Sequence, residues 1–184
     1  VLLVAPAVGL ALLAHHTTRP CPNHPLAMIG DSNVLGWDLG PGCLNLGISG
    51  DTSQRMAARF DAVFTAGRAP LLVIWATQND LRRDFGLRYY RDMVAKARRA
   101  GLKVILATPA PASTDPANTE LSAQIQALGR SEGLPVANLR RALSMPWGGP
   151  NPLLYRREGP DGTVHQHLNR LGQIVAWWTL SRSL

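Results

Sequence analysis

The chain is poor in several residue types, and each shortage excludes a class of protein. Its 184 residues include only 2 cysteines and 6% aromatic residues, too few cysteines for a disulfide-built scaffold or a cysteine-rich zinc fold. Charged residues make up 17% of the chain and hydrophobic residues 46%, which excludes a disordered chain and a coiled coil. The composition therefore predicts one globular domain of ordinary size.

Lysine is also scarce, because all of the 19 basic residues except Lys96 and Lys103 are arginines. Against 12 acidic residues they give a net charge of +7, which raises the question of a nucleic-acid partner. The arginines are scattered in pairs, without a lysine-rich tract, zinc-finger spacing or an RNA-binding aromatic motif. We therefore expect no nucleic-acid partner, while attraction to anionic membranes or polymers stays open.

The N-terminal segment differs in character from the rest of the chain. Residues 1–14 are almost all apolar, and residues 15–25 (HHTTRPCPNHP) contain three prolines and three histidines without apolar periodicity. The apolar run has the length of a signal-peptide core and is too short alone to span a bilayer; a buried helix is its alternative. We expect 1–25 to be an export signal or anchor with a linker, 26–184 to be the folded domain, and the protein to be periplasmic or anchored facing the periplasm.

The two cysteines and the linker histidines give weak signals. Cys21 and Cys43 could form a disulfide in an exported protein or remain two thiols in a reducing compartment. His15, His16 and His24 have no cysteine or carboxylate partners at zinc spacing. We expect solvated histidines, no metal site and no cofactor.

Short apolar runs alternate with amphipathic segments from residue 26 onward. Strands are predicted at 26–29, 43–46, 71–76, 104–107 and 135–139, and helices at 52–66, 87–100, 120–132 and 168–180, with a long loop over 144–163. This alternation predicts an α/β fold with a parallel sheet of about five strands and helices on both faces. Ligands bind such sheets at the carboxyl ends of the strands.

Four polar segments stand at those strand ends or before the final helix. They are GDSN (30–33), GISGDT (47–52), TQND (77–80) and DGTVHQH (161–167). Together they supply a serine, exposed backbone N–H groups, a carboxamide, a late aspartate and histidines, which is what acyl transfer requires. No GxGxxG motif or P-loop lysine follows the first strand, and no GxSxG elbow surrounds Ser32.

The segments MIGDSNVLGW, NLGISGDTSQRM, WATQNDL and HLNRLG resemble the four sequence blocks of the SGNH (GDSL-type) hydrolases. The resemblance covers nearly everything after residue 26. ISGDTS is similar to the bacterial thioesterase/lysophospholipase branch, and HLNRLG to the platelet-activating-factor acetylhydrolase branch. The resemblance implies a flavodoxin-like three-layer α/β/α sandwich and a serine esterase that needs no cofactor.

Carried over residue by residue, the resemblance implies Ser32 as nucleophile. Its backbone N–H, that of Gly50 and the side-chain amide of Asn79 would form the oxyanion hole, since glycine lets the main chain approach and asparagine donates without titrating. The alternative roles are that of a turn glycine for Gly50 and that of a helix cap for Asn79. Asp31 is expected to order the Ser32 loop. Thr77 replaces the family's usual glycine and is expected to narrow the acyl pocket or shift its loop. Asp31 and Thr77 are therefore both expected to be substrate-site residues.

The last block leaves two candidates for the catalytic base. The family register, counted back from Gly172, selects His167, but Val164 stands where the family has an aspartate. Asp161 could reach His167 through a bulge, or a Ser–His dyad could act without it, oriented by a backbone carbonyl or by His165. His165 is itself the alternative base.

The short, glycine-rich spacing between the first two blocks predicts a compact, open site, which suits a small acyl group on a large alcohol such as a polysaccharide. Trp37, Trp147 and Tyr155 could stack on sugar rings or cover the core. We therefore expect an exported, metal-independent serine esterase acting on short-chain acyl esters of a lipid or an acetylated polysaccharide. The alternatives are a lysophospholipase or thioesterase, a sugar O-acyltransferase, and a non-catalytic subunit of a membrane or polysaccharide assembly.

Overall fold

A parallel five-stranded sheet forms the centre of the protein. The computed structural model describes residues 25–40, 42–65, 69–81, 83, 85–111, 116–158 and 167–184. The strands are β1 (Leu26–Gly30), β2 (Leu44–Gly47), β3 (Leu71–Trp75), β4 (Lys103–Ala107) and β5 (Val136–Ala137), in the spatial order β2-β1-β3-β4-β5. All neighbouring strands pair in parallel. The predicted α/β fold and strand number are confirmed.

Seven helices connect or follow these strands within the described residues. They are α1 (Ser32–Leu35), α2 (Ser53–Ala58), α3 (Ala62–Thr65), α4 (Arg88–Arg99), α5 (Pro116–Glu132), α6 (Leu139–Ala142) and α7 (Arg170–Ser181), with 3₁₀ turns at Gln78–Asp80 and Pro152–Leu154. The single helix predicted over 52–66 is wrong, because the chain leaves helical geometry at Arg59, the C-cap of α2. The last predicted strand is shorter than expected, since the Asn138 side chain caps α6 by accepting from the Arg141 N–H.

Alternating strand residues build an apolar core on each face of the sheet. Leu26 and Met28 of β1 pack on one side with residues of α1, α6 and α7, and Ala27 and Ile29 pack on the other with residues of α2, α4 and α5. This alternation follows from the two-residue period of a strand. The result is a three-layer α/β/α sandwich, with the carboxyl ends of all five strands at one edge.

Two glycines permit the close contacts that position the chemistry-bearing segments. A β-carbon on Gly47 would lie 2.1 Å from the Leu35 nitrogen, so α1 rests directly against the end of β2. A β-carbon on Gly172 would lie 2.1 Å from the Leu154 carbonyl oxygen, so the start of α7 rests against the chain at 154. Any side chain at either position would displace the neighbouring backbone.

The predictions for the N-terminal segment fall on residues 1–24, outside the described residues. The same holds for Cys21, so its pairing with Cys43 stays a prediction. Over the part of the chain that is described, no helix combines the length and apolar character needed to cross a membrane.

Candidate active site

Ser32 occupies the first turn after β1, which lies between β2 and β3 in the sheet. Asp31 caps α1, because its Oδ1 accepts a 2.9 Å hydrogen bond from the Asn33 N–H. The tight strand-to-helix turn brings the Ser32 side chain to the carboxyl edge of the sheet, where it is partly exposed. This is the location at which parallel α/β sheets bind ligands.

His167 and Glu158 complete a hydrogen-bonded chain with that serine. Ser32 Oγ lies 2.9 Å from His167 Nε2, and His167 Nδ1 lies 2.7 and 2.9 Å from the two oxygens of Glu158. The Glu158 carboxylate accepts from Nδ1–H, which leaves Nε2 to accept from the serine hydroxyl. The arrangement is that of a nucleophile, a base and an acid that orients the base.

Backbone hydrogen bonds between the segments at 154–156 and 167–169 set the position of Glu158 relative to His167. The Arg156 N–H donates to the His167 carbonyl at 2.8 Å, and the Asn169 N–H donates to the Leu154 carbonyl at 3.0 Å. The Asn169 side chain also donates to the Leu153 and Tyr155 carbonyls and accepts from Gly172 N–H at the start of α7. His167 is thus fixed both by the helix that follows it and by the segment that leads to Glu158.

The loop after β2 carries the predicted glycine donor. Gly50 is exposed and has φ +70°, a conformation that favours glycine. The adjacent Asp51 is buried, and Arg59 pairs with its carboxylate at 2.7 Å while donating to the Leu46 carbonyl at 2.7 Å and the Gly30 carbonyl at 3.3 Å. Arg59 therefore ties this loop to the ends of β1 and β2.

Asn79 lies half-buried in the 3₁₀ turn after β3. Its Nδ2 donates to the Asp51 carbonyl at 2.8 Å and lies 3.0 Å from Thr77 Oγ1 and 3.5 Å from Asp31 Oδ2. These contacts place the amide between the Ser32 turn and the Gly50 loop. An amide has two hydrogens, so Asn79 can keep its bond to the Asp51 carbonyl while the second hydrogen turns from Thr77 Oγ1 toward a substrate oxygen.

The Thr77 side chain contacts both the Ser32 turn and the Gly50 loop from the protein interior. It is fully buried, and its Oγ1 lies 2.8 Å from Asp31 Oδ2 and 2.9 Å from the Asp51 carbonyl. Burial raises the pKa of the Asp31 carboxyl, against the opposing effect of hydrogen bonds from Asn33 and Thr77. The Asp31 carboxylate thus connects the Ser32 turn to Thr77, and its role in ordering that turn stays a prediction.

Several sequence expectations need correction or stay open. Trp37 has 5% exposure and packs edge-on against Trp75, so of its two predicted roles it covers the core and does not stack on a sugar. Thr77 has 0% exposure, and its expected effect on the acyl pocket or its loop stays a prediction. Tyr155 is also buried, whereas Trp147 is 79% exposed. Asp161 and His165 lie outside the described residues.

Glu158 is the residue that sequence reasoning missed. The family's fixed Asp-x-x-His spacing directed attention to the residues just before His167, and Glu158 lies nine positions upstream. The available signal was the scarcity of carboxylates in the final loop, where Glu158 and Asp161 are the only two between Tyr155 and His167. Among the described residues, no group of three or more His, Cys, Asp or Glu side chains is arranged to hold a metal ion.

A sequence-family model decides which family this site represents. The model of the GDSL-like Lipase/Acylhydrolase family matches residues 29–173. The chain belongs to this family. The matched range of this GDSL-like acylhydrolase contains Ser32, Gly50, Asn79, Glu158 and His167, and membership makes the protein a carboxylic ester hydrolase.

Solved structures share the fold of this GDSL-like acylhydrolase. One is described as a lipolytic protein of the G-D-S-L family from Desulfitobacterium hafniense (TM-score 0.74, 21% identity, covering 88% of this chain and 100% of that one). A second is a GDSL-like lipase from Bacteroides thetaiotaomicron (TM-score 0.70, 19% identity, covering 96% of this chain and 95% of that one). A third is a catalytic mutant of an acetylxylan esterase from Geobacillus stearothermophilus (TM-score 0.67, 16% identity, covering 88% of this chain and 94% of that one). At these identities the likeness supports the fold alone. No curated protein matches the chain.

Proposed function

We propose that the protein hydrolyses short-chain acyl esters, O-acetyl groups of a polysaccharide above all, through an acyl-enzyme on Ser32. The observation that carries the mechanism is the hydrogen-bonded chain from Ser32 Oγ through His167 to Glu158. His167 takes the serine proton as Oγ attacks the ester carbonyl, and then returns it to the departing alcohol. Water deprotonated by the same histidine releases the acid and restores the serine.

The developing oxyanion would lie among the Ser32 N–H, the Gly50 N–H and the Asn79 amide. In enzymes that catalyse acyl transfer, each such donor stabilises the transition state by about 3 kcal/mol. The hydrogen bonds that Asn79 and Arg59 make to the Asp51 region hold two of the three in fixed positions before substrate arrives. Such preorganisation is what makes the donors effective.

The preference for a small acyl group is supported by the size of the space beside the nucleophile. The cavity lined by Ser32, His167 and Gln173 has a volume of about 20 Å³, room for about one water molecule. A cavity this small beside a partly exposed serine has no room for a long acyl chain, which favours a short acyl group such as acetyl. The acetylxylan esterase among the structural neighbours acts on a substrate of this type.

A lysophospholipase or thioesterase is the second candidate, and two exposed apolar residues favour it. Leu35 at the end of α1 is 53% exposed, and Ile48, directly after Gly47, is 47% exposed. Because Gly47 contacts the Leu35 backbone, the two side chains extend from neighbouring stretches of backbone near the serine turn. Exposed apolar side chains at this place favour contact with part of an acyl chain outside the small cavity.

Ester hydrolysis by matched variants tests the proposal. We expect p-nitrophenyl acetate to be cleaved faster than the butyrate and octanoate esters, with an initial burst of one p-nitrophenol per enzyme molecule. We also expect the enzyme to release acetate from an acetylated polysaccharide. Ser32→Ala and His167→Ala should each lower kcat by about 10³-fold or more, and Glu158→Gln by about 10²- to 10⁴-fold. Asp161→Asn and His165→Ala, folded to the same extent, are the matched controls and should retain activity within a few-fold.

Other outcomes of that experiment have definite meanings. Fastest cleavage of octanoate would favour the lysophospholipase candidate. A large loss in Asp161→Asn with little loss in Glu158→Gln would transfer the orienting role to Asp161. Equal rates for wild type and Ser32→Ala on every ester would overturn the proposed mechanism.

We further propose that the protein is exported, to the periplasm or to a membrane facing it. The apolar run over residues 1–14 and the proline-rich stretch that follows support this location. Fractionation of cells that express the chain tests it, and recovery in the cytosol would contradict it.

A further inference from the structure

Arg156 stands in the wall of the cavity that contains the nucleophile and the base. The cavity is lined by Ser32, Asn33, Gly36, Arg156, His167, Leu168 and Gln173. The Arg156 backbone is bonded to His167, since its N–H donates to the His167 carbonyl at 2.8 Å. Its guanidinium reaches over the end of α1, where Nη2 would lie 3.7 Å from a β-carbon on Gly36. The backbone of the arginine is therefore fixed next to His167, and its guanidinium lies close to the end of α1.

The extended backbone explains why this arginine, and not its neighbour, faces the site. Successive side chains of an extended segment point to opposite sides, so Arg156 and Glu158 share a side. Glu158 bonds His167, which identifies that side as the one facing the active site. Arg157 points the other way, is exposed, and does not line the cavity.

The charge of Arg156 has no internal counter-charge among the described residues. The ion pairs formed there involve Arg59, Lys96, Arg98 and His167, and none includes Arg156. The carboxylate two positions away, Glu158, is used by His167. A guanidinium that is exposed and forms no ion pair with the described residues provides, beside Ser32, a forked donor for a planar anion.

We propose that Arg156 binds a carboxylate on the alcohol part of the substrate, so that the preferred ester is an O-acetyl group on or next to a uronic-acid sugar. The inference rests on the proposed function, because it names the glycan on which the acetyl group is carried. Arg156 is exposed and lines the small cavity beside Ser32, so a carboxylate that it binds stays in solvent outside that cavity and belongs to the alcohol part of the molecule whose ester faces the serine. The net charge of +7 adds long-range attraction for an acidic polymer.

The test compares two substrates that differ only in the group at C6, which is charged in one and neutral in the other. Mono-O-acetylated methyl galacturonoside carries a carboxylate where mono-O-acetylated methyl galactoside carries a hydroxymethyl group. For wild type we expect kcat/KM to be about five- to tenfold higher for the acidic sugar, chiefly through a lower KM, as expected for a partly exposed charge-assisted contact. The preference should weaken as salt is raised.

Arg156→Gln should abolish this preference, and Arg157→Gln, which removes the same charge from the neighbouring position, should keep it. Arg156→Lys should retain part of it, because lysine keeps the charge and loses the fork. A preference that survives in Arg156→Gln, or that falls equally in both glutamine variants, would overturn the inference. So would an equal fall in the rates of both sugars in Arg156→Gln, which would mean that the arginine only supports the fold of the site.

A second pair of substrates, acetylated glycerol phosphate and acetylated glycerol, separates a carboxylate from a lipid-type phosphate. An Arg156-dependent preference for the phosphate ester and none for the galacturonoside would overturn the assignment to a sugar acid. Cleavage of the neutral sugar by wild type without any charge preference would leave the proposed function intact and remove only this inference. Failure to cleave any of these esters would count against the proposed function itself.

Discussion

Among single residues, Asp31 links the nucleophile turn to the rest of the site at an energetic cost. Its carboxylate accepts from Asn33 N–H and from the Thr77 hydroxyl, and the residue has 7% exposure. Burial raises the pKa of this carboxyl, so desolvation outweighs the hydrogen bonds that favour the charged form. The ionised carboxylate therefore costs folding stability at neutral pH.

Replacing this carboxylate by an amide should change the pH dependence of stability. Above the ordinary pKa of 3.8 and up to the raised pKa of the folded state, the folded protein holds a proton that the unfolded chain has released. The contribution of Asp31 to stability is thus largest at low pH and declines as pH rises through that window. In Asp31→Asn the decline is absent, because the amide keeps an acceptor for Asn33 N–H and does not titrate.

Urea unfolding of wild type and Asp31→Asn between pH 3 and pH 7 measures this effect. We expect the free energy of unfolding of the variant to rise relative to wild type as pH increases across that range. The opposite trend, with wild type gaining on the variant toward pH 7, would show that the hydrogen bonds outweigh desolvation.

At the scale of secondary-structure elements, the contact between α7 and the chain at 153–156 decides the geometry of the acid and the base. The pairing of Leu154 with Asn169 and of Arg156 with His167 carries Glu158 to the imidazole. Gly172 allows α7 to approach this segment, because a β-carbon there would meet the Leu154 carbonyl. A backbone oxygen cannot turn aside as a flexible side chain can.

Gly172→Ala should therefore impair catalysis as well as stability. We expect a loss of about 1–3 kcal/mol in the free energy of unfolding, the usual cost of overpacking, and a clear fall in kcat as Glu158 and His167 shift. Gly129→Ala is the matched control, since its β-carbon would lie 2.0 Å from Val136 Cγ2 at the far edge of the sheet. Denaturation midpoints and p-nitrophenyl acetate kinetics of both variants provide the comparison.

The control should lose stability and keep its kcat. If Gly172→Ala is destabilised and its kcat also stays at the wild-type value, then the close approach of α7 does not set the geometry of the histidine. If Gly129→Ala loses kcat to the same degree, general destabilisation explains both results.

At the scale of the whole molecule, the described residues form two apolar cores, and their first members along the chain are Leu26 and Ala27. One core runs from Leu26 to Leu180 and the other from Ala27 to Leu128, on opposite faces of the sheet. Burial of apolar surface is the main driving force of folding. The described contacts therefore contain what a stable domain needs.

A chain that starts at Pro25 should fold and hydrolyse p-nitrophenyl acetate with a kcat within a few-fold of the full chain. Circular dichroism, the denaturation midpoint and ester kinetics of the two chains measure this. A large loss of stability that persists when both chains are reduced would mean that residues 1–24 belong to the folded domain. A loss confined to oxidising conditions would instead indicate that the predicted bond between Cys21 and Cys43 stabilises it.

Much of the fold was predictable because its signals are local. The buried β-strands read as continuous apolar runs, and polar residues follow each of them, so the parallel sheet and its active edge could be predicted from periodicity. The short helices were not predictable: α1 and α6 have four residues each, and their caps, Asp31 and Asn138, are common in loops as well.

The sequence by itself determined the fold class, the family and the position of Ser32, since these depend on residues close together in the chain. Only the tertiary structure decided which carboxylate meets His167, and that Thr77 and Trp37 are buried rather than exposed to substrate. It also placed Arg156 beside the nucleophile and Arg157 away from it. Contacts of this kind depend on how an extended segment lies against α7, and that register arises from backbone hydrogen bonds that every residue type except proline can donate and accept.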